Sequence, residues 1–422
     1  MFIVVILSVI PVIIWGFMEP LGLRFLDLNS IATSIGQILG LVGMVLFSIT
    51  LVLAGRFKFL DKYLNGLDKV YSNHHKLGAI TFSMLLFHPL FLVVKYLSIS
   101  IRDAGLFFVP FVNMPITWGI ISLILMIVFL GITFYSRVKY HVWKFTHKFM
   151  VLAFFFAVIH TLVISSDISR NILLRYYILL FALVALFAVI RKTFFEQISA
   201  NRLKYKVKNV NKLNQDVIEI EMEPLGNKMT FIPGQFAFFS FLSGSVSKEY
   251  HPFSISSSKS DDNLKIIVKN LGDFTSCLSN LKSNDVVLID GPYGNFSYKK
   301  IKNKNQIWVA GGIGITPFLS MAKTLESDYK VDLYYSVKEN KEAVSMEILG
   351  EIENRNPNFK SNLWIANDKG YINAGLISSQ SSGLKDKDIF LCGPAGFMES
   401  LKNQFVSLGV DIKKIHYENF SL

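Results

Sequence analysis

The sequence predicts a six-helix transmembrane bundle, followed by an antiparallel β-barrel and then an α/β domain built on a parallel sheet. Three observations carry that prediction. Of the 422 residues, 51% are apolar and the mean hydropathy is +0.41, too greasy for an ordinary soluble chain. The apolar residues form long runs up to Ile190, whereas after Arg191 short β-branched strands alternate with Lys, Asp, Asn and Gly. From about Gln306 the order changes again, to strand, Gly-rich turn, helix, strand. The expected domains are residues 1–190, 191–300 and 301–422.

Six apolar stretches, about 2–17, 33–54, 77–97, 116–134, 148–165 and 172–190, form the bundle. Most approach the roughly 17–25 residues that cross a bilayer as a helix. The first resembles a signal-peptide core but has neither a basic leader nor a small-x-small cleavage motif, so it reads as a retained span with Pro11 as a kink. The connection 55–76 carries Arg56, Lys58, Lys62, Lys69 and Lys76, and 135–148 carries Arg137, Lys139, Lys144 and Lys148. The opposite connections hold Arg24, Arg102 and Arg170. The positive-inside rule puts the first pair in the cytoplasm, together with both termini and everything after Arg191. A multi-pass protein of the plasma (inner) membrane is expected. Residues 1–190 hold 14 Lys and Arg against 6 Asp and Glu, and the remainder 29 against 25. The surplus flanks the spans, so its partner is the anionic bilayer surface rather than nucleic acid. Cys277 and Cys392 form neither a metal spacing nor a disulfide framework.

The stretch HKFMVLAFFFAVIH puts His147 and His160 at the two ends of an uncharged run, and SNHHKLGAITFSMLLFHP supplies His74, His75 and His88 on the third span. Ionisable rings inside a span mark a functional site. Both spans leave the cytoplasm, so His74 or His75 lies level with His147, and His88 with His160 about 20 Å further out. Four imidazoles in two layers can supply two axial pairs, each gripping the iron of one haem. At about 100° per residue, His74 returns to within about 40° of the face of His88, whereas His75 misses by about 140°. His147 and His160 also miss by about 140°, so phase alone does not decide.

In the soluble half, YKVKNV, VIEIEME, FAFFSF, LKIIVKN and DVVLIDGP read as barrel strands, with HPFSISSS among them. In GGIGITPF, Gly311, Gly312 and Gly314 follow an apolar strand and open a helix, where backbone N–H groups can meet a pyrophosphate. Thr316 adds a hydroxyl and Pro317 suits a first helical turn. A second strand end, DIFLCGPAGF, sets Cys392, Gly393 and Pro394 in the same topological position.

Taken in order, the histidine pairs, HPFS, GDFT, DGPYG, GGIGITPF, CGP and the terminal ENF resemble the NADPH oxidase and ferric reductase superfamily, most closely its prokaryotic NADPH oxidases. The resemblance covers nearly the whole chain. It implies a ferric-reductase-like bundle, an FAD-binding barrel and a ferredoxin-reductase-like α/β domain. Family spacing of the histidines implies His74 and His147 on an inner haem b, and His88 and His160 on an outer one. It further implies FAD held at His251, Pro252, Phe253 and Ser254, with Ser254 near the reactive ring edge, and with Lys269, Gly272 and Thr275 near its phosphates. Phe420 would cover the flavin face and Cys392 would neighbour the nicotinamide. Ser336 and Lys338 lie at the strand end where an adenosine ribose would end, and the expectation is that no acidic residue follows immediately to pair with a free 2′-hydroxyl, which favours NADPH over NADH while leaving dual use open.

The expected activity is electron transfer from cytosolic NADPH through FAD and two haems to oxygen, giving superoxide. A Phe154–Phe156 or Phe82 side chain would lie between the haems. A ferric-chelate reductase, an electron-donating subunit for a partner protein and a haem-free transporter fused to a flavin reductase are the rivals. The sequence holds no EF-hand loop, and a self-contained enzyme without an obligatory regulatory subunit is expected.

Overall fold

The computed structural model describes residues 2–64, 66–135, 140–195 and 202–418. The chain forms two compact units, residues 1–60 with 69–199, and residues 61–68 with 200–422.

The first unit consists largely of apolar helices: α1 (Phe2–Gly16), α2 (Leu28–Ala54), α3 (Leu67–Leu92), α4 (Met114–Tyr135), a pair α5 (Tyr140–His147) and α6 (Met150–Val163), and α7 (Ile172–Ile190). Among the described residues, five runs are long and apolar enough to cross a membrane, the α5–α6 pair counting as one, and α1 is shorter at 15 residues. Leu41, Met44, Val45 and Phe47 of α2 pack with Ala153 and Phe154 of α6 and with Ile178 and Ala185 of α7. Phe155, Leu180, Leu183 and Phe187 stay exposed, as suits helices solvated by lipid.

Asp27 and Ser30 cap α2 reciprocally, the Asp27 carboxylate accepting from Ser30 N at 2.8 Å and Asp27 N donating to Ser30 Oγ at 2.9 Å. At its other end, Arg191 donates to Gly55 O at 3.2 Å and Lys192 to Ala54 O at 2.7 Å, satisfying carbonyls that the helix leaves open. The buried Arg24 ties the connections together. It lies 3.2 Å from Asp167, donates to Trp15 O at 3.1 Å and stacks 3.9 Å over the Trp15 ring.

Between α5 and α6 the winding tightens. Lys148, Phe149, Val151 and Leu152 donate to carbonyls three residues back, at 3.2, 3.0, 3.1 and 2.9 Å. Each such step turns about 20° further than an α-helical one. Four of them remove about 80° of the roughly 140° phase error between His147 and His160. That accounts for part of the offset that a regular helical wheel leaves between them.

In the second unit, β1 (Leu203–Lys212), β2 (Val217–Pro224), β3 (Phe236–Leu242), β4 (His251–Ser254), β5 (Leu264–Lys269) and β6 (Val286–Tyr293) form one antiparallel sheet in the order β4-β3-β6-β1-β2-β5. An antiparallel bridge from Ile255 to Ile266 joins its two ends, which closes the expected barrel. Tyr205, Ile220, Phe239, Phe241, Ile266 and Ile289 are among the residues that fill it.

A parallel sheet follows, with β7 (Asn305–Gly311), β8 (Lys330–Val337), β9 (Phe359–Ile365), β10 (Asp388–Cys392) and β11 (Ile415–Tyr417) in the order β11-β10-β7-β8-β9. Helices α8 (Ile315–Lys323), α9 (Met346–Arg355) and α10 (Ala395–Ser407) lie in the crossovers. Along β7, Trp308 and Ala310 point into one core while Ile307 and Val309 point into another, so the sheet is covered on both faces. The chain order reverses between β7 and β10, and the turns at their carboxyl ends sit where open α/β sheets bind ligands.

Candidate functional site

His74 and His88 lie on α3, His147 closes α5 and His160 lies near the end of α6. His74 Nδ1 is 2.9 Å from Thr50 O, His88 Nδ1 2.6 Å from Gly36 O, and His160 Nδ1 2.7 Å from Pro115 O. A carbonyl can only accept, so in each neutral ring Nδ1 carries the hydrogen and Nε2 keeps the lone pair. His147 Nδ1 has a weaker neighbour, Thr133 Oγ1, at 3.4 Å. The His74 and His147 rings lie 6.2 Å apart between centroids. His75 is exposed, which separates it from its neighbour.

Two glycines make room for the rings of His88 and His160. A Cβ at Gly40 would meet His88 Cε1 at 2.8 Å, and one at Gly119 would meet His160 Nδ1 at 3.0 Å. Four half-buried imidazoles, three of them with Nδ1–H on a carbonyl and the Nε2 lone pair left over, fit the bis-histidine ligation of two haems. Phe154 packs edge-on against Phe47 at 5.0 Å, and Phe156 stacks on Trp118 at 5.6 Å.

In the barrel, His251, Pro252, Phe253 and Ser254 form β4, and all four are half-buried. They pair with Phe236–Phe239 of β3, Ser254 opposite Phe236. His251 stacks on Phe274 at 3.5 Å, and its Nε2 lies 3.5 Å from Glu249. Thr275 Oγ1 accepts from Leu271 N at 2.9 Å and from Gly272 N at 3.1 Å, so its hydroxyl fixes the turn that begins at Gly272. Lys269, at the end of β5, lines a cleft with Gly312, Ile313, Tyr335 and Lys341. It thus faces the glycine turn of the α/β domain as well as the barrel rim.

At that turn, Gly312 has φ +54° and open space where a Cβ would stand, the backbone conformation that favours glycine. A Cβ on Gly314 would lie 2.3 Å from Cys392 O, and one on Gly393 would lie 3.1 Å from Gly311 Cα. The two turns therefore press together, and only glycine allows it. Pro394 completes the second turn as the residue before α10. Thr316 Oγ1 donates to Ile313 O at 2.8 Å, and Thr316 and Pro317 are buried in the first turn of α8. Cys392 is buried, and burial pushes its thiol pKa up, with the charge of Glu418 adding to the effect.

Ser336 is paired with Gly311 across the sheet, while Lys338 is exposed. One residue further, Glu339 makes a 2.6 Å ion pair with Lys341. That carboxylate is a feature the strand-end argument passed over. Phe420 lies outside the described residues. Glu418, two residues before it, is buried, and its Oε1 stands 2.6 Å from where a Gly294 Cβ would be.

Three matches to known families run in the same order along the chain. Residues 39–158 match the ferric reductase like transmembrane component, 202–297 an FAD-binding domain and 308–403 an oxidoreductase NAD-binding domain. The chain thus joins a ferric-reductase-like membrane region to an FAD-binding domain and an NAD-binding domain. The chain has the NADPH oxidase and ferric reductase architecture.

Among characterised relatives, the toluate 1,2-dioxygenase electron transfer component of Pseudomonas putida is 28% identical over 228 residues, 51% of this chain and 66% of that protein. A probable dihydroorotate dehydrogenase B (NAD(+)) electron transfer subunit of Pyrococcus abyssi is 34% identical over 172 residues, 40% of this chain and 61% of that protein. The chain spans less than two thirds of the length of either. The flavohem-like FAD/NAD binding domain of nitric oxide dioxygenase from Vibrio cholerae aligns with 25% identity and a TM-score of 0.45, covering 51% of this chain and 97% of that one.

Proposed function

We propose that this chain moves electrons from cytosolic NADPH, by way of FAD and two b-type haems, across the plasma (inner) membrane to oxygen, giving superoxide. One observation supports it above the others. Three of the four histidine rings donate Nδ1–H to a backbone carbonyl of another helix, which leaves the Nε2 lone pair free to ligate. That is the arrangement by which outer partners orient imidazole ligands to a metal.

His74 and His147 would hold the inner haem, and His88 and His160 the outer one. Gly40 and Gly119 admit the outer rings without a clash. On the cytosolic side, β4 would carry the flavin with Ser254 beside its reactive edge, and Phe420 would cover the ring face. Gly311, Gly312 and Gly314 would receive the nicotinamide dinucleotide's pyrophosphate, with Cys392 near the nicotinamide and Lys338 near the adenosine ribose. Held there, a flavin would supply the exchange between a two-electron hydride donor and one-electron haem iron. NADPH is the favoured donor, with Glu339 and its Lys341 partner setting how far NADH competes.

Ferric-chelate reduction is the second reading, favoured by the match of residues 39–158 to the ferric reductase like transmembrane component. The test is acceptor-resolved turnover of the purified, haem- and FAD-loaded protein, comparing superoxide-dismutase-sensitive cytochrome c reduction with ferric-chelate reduction. Dismutase-sensitive turnover exceeding chelate turnover is expected. A protein colourless in the Soret region after expression with ample iron and porphyrin would end the haem reading.

A further inference from the structure

Helix α8 is held at both ends. Its N-terminus opens from the glycine turn at Gly311–Gly314. At its other end, Ser320 Oγ donates to Ser257 O at 2.7 Å and Lys323 Nζ donates to Ser256 O at 2.9 Å. Ser256 and Ser257 follow β4 within three residues, and both are buried, as is Ser320. Their own backbone is pinned to β5, Ser256 N donating to Lys265 O at 2.9 Å and Ser257 Oγ accepting from Lys265 N at 3.1 Å. The two donors are three residues apart and so share one helix face. The segment after the HPFS strand and the helix after the glycine turn are therefore joined by two directional bonds.

Apolar packing already glues these layers. Phe296 meets Phe318 edge-on at 5.4 Å, and Val217, Ile267 and Tyr298 belong to the same core as α8. Such contacts are non-directional. A lysine added to them costs desolvation, and burial lowers the Lys323 pKa, with Asp261 and Glu219 opposing. A methionine would fill the same space without that cost. Keeping the ammonium there stabilises one register of the two layers rather than their association.

We propose that Ser320 and Lys323 are positioning residues for hydride transfer, fixing the register between the glycine turn and β4. The proposal deepens the reading above at its first step alone, the conversion of NADPH and FAD to NADP+ and FADH−. Misplacement of about 1 Å between reacting groups can cost about 100-fold, so a register loosened by a fraction of that would be visible.

The experiment uses the full-length, FAD-loaded protein and follows anaerobic flavin bleaching by NADPH in a stopped flow. Lys323→Met and Ser320→Ala are each expected to slow bleaching about tenfold. The primary isotope effect with 4-deuterated NADPH should rise, while FAD affinity stays within about twofold of the parent. Lys323→Arg should restore most of the rate. Ser320→Ala removes only one hydroxyl, so it keeps the test decisive should Lys323→Met fold poorly. Unchanged bleaching and isotope effect in either folded variant would overturn the proposal, as would a rate loss matched by an equal loss of FAD. An unaltered protein whose flavin neither NADPH nor NADH can bleach would sink the oxidoreductase reading itself.

Discussion

The two histidine pairs of the membrane unit are not equally well prepared. His88 and His160 each donate to a carbonyl at 2.6–2.7 Å and each lies over a glycine, Gly40 or Gly119. In the other pair, His74 donates at 2.9 Å, while His147 has only a threonine oxygen at 3.4 Å. Short, charge-free bonds to fixed backbone restrict a ring more than a long bond to a rotatable hydroxyl does. In the proposed ligation, the His88 and His160 rings would be set before any ligand arrived, and His147 would settle on binding.

The largest expected effect breaks the outer pair outright. His88→Ala should reduce haem content from two to one per chain and abolish turnover with acceptors beyond the membrane. Flavin bleaching by NADPH should stay within about twofold, because binding energetics at distant sites are nearly additive. A pyridine haemochrome assay still returning two haems would refute the assignment of His88.

Next in size are the glycines. Gly40→Ala sets a methyl into a ring pinned by its own hydrogen bond, and overpacking of this kind costs about 1–3 kcal/mol. It should weaken outer haem retention while leaving the inner Soret component in place. Gly78 is the control, since a Cβ there would stand 3.7 Å from Thr50 Cγ2. Gly78→Ala should leave both haems bound and raise helix stability by about 0.5–1 kcal/mol. Equal haem loss in the two variants would erase the contrast drawn between the pairs.

The smallest effect sharpens it from the other side. Thr133→Val removes the only hydrogen-bond neighbour given to His147 among the described residues. At 3.4 Å that bond contributes about 0.5 kcal/mol or less, so inner haem affinity should fall less than about threefold. A loss as great as that of Gly40→Ala would show that the inner ring depends on Thr133 after all.

Much of this was legible in the residues. The spans, the barrel strands and the glycine turns follow from hydropathy runs, period-two alternation and Gly placement, which are local signals, whereas the choice of His74 over His75 rested on the spacing of the family it resembles. The partners of the histidines were not legible, because Gly36, Thr50 and Pro115 act through carbonyls that every residue possesses. A hint was present in Gly36 and Gly40, two small residues one turn apart in an apolar span. The tightened winding at Lys148–Leu152 also escaped, since no proline or glycine marks it. Ser320 and Lys323 read as ordinary helix residues until the barrel carbonyls they reach are known.

The tightened winding has a further effect, on height. Fourteen regular steps separate His74 from His88, a rise of about 21 Å. Only thirteen steps separate His147 from His160, but four of them stretch to about 2.0 Å each, bringing the total to about 21.5 Å. One rail of the ladder is a rung short and is drawn out to match the other, so the two storeys stay level.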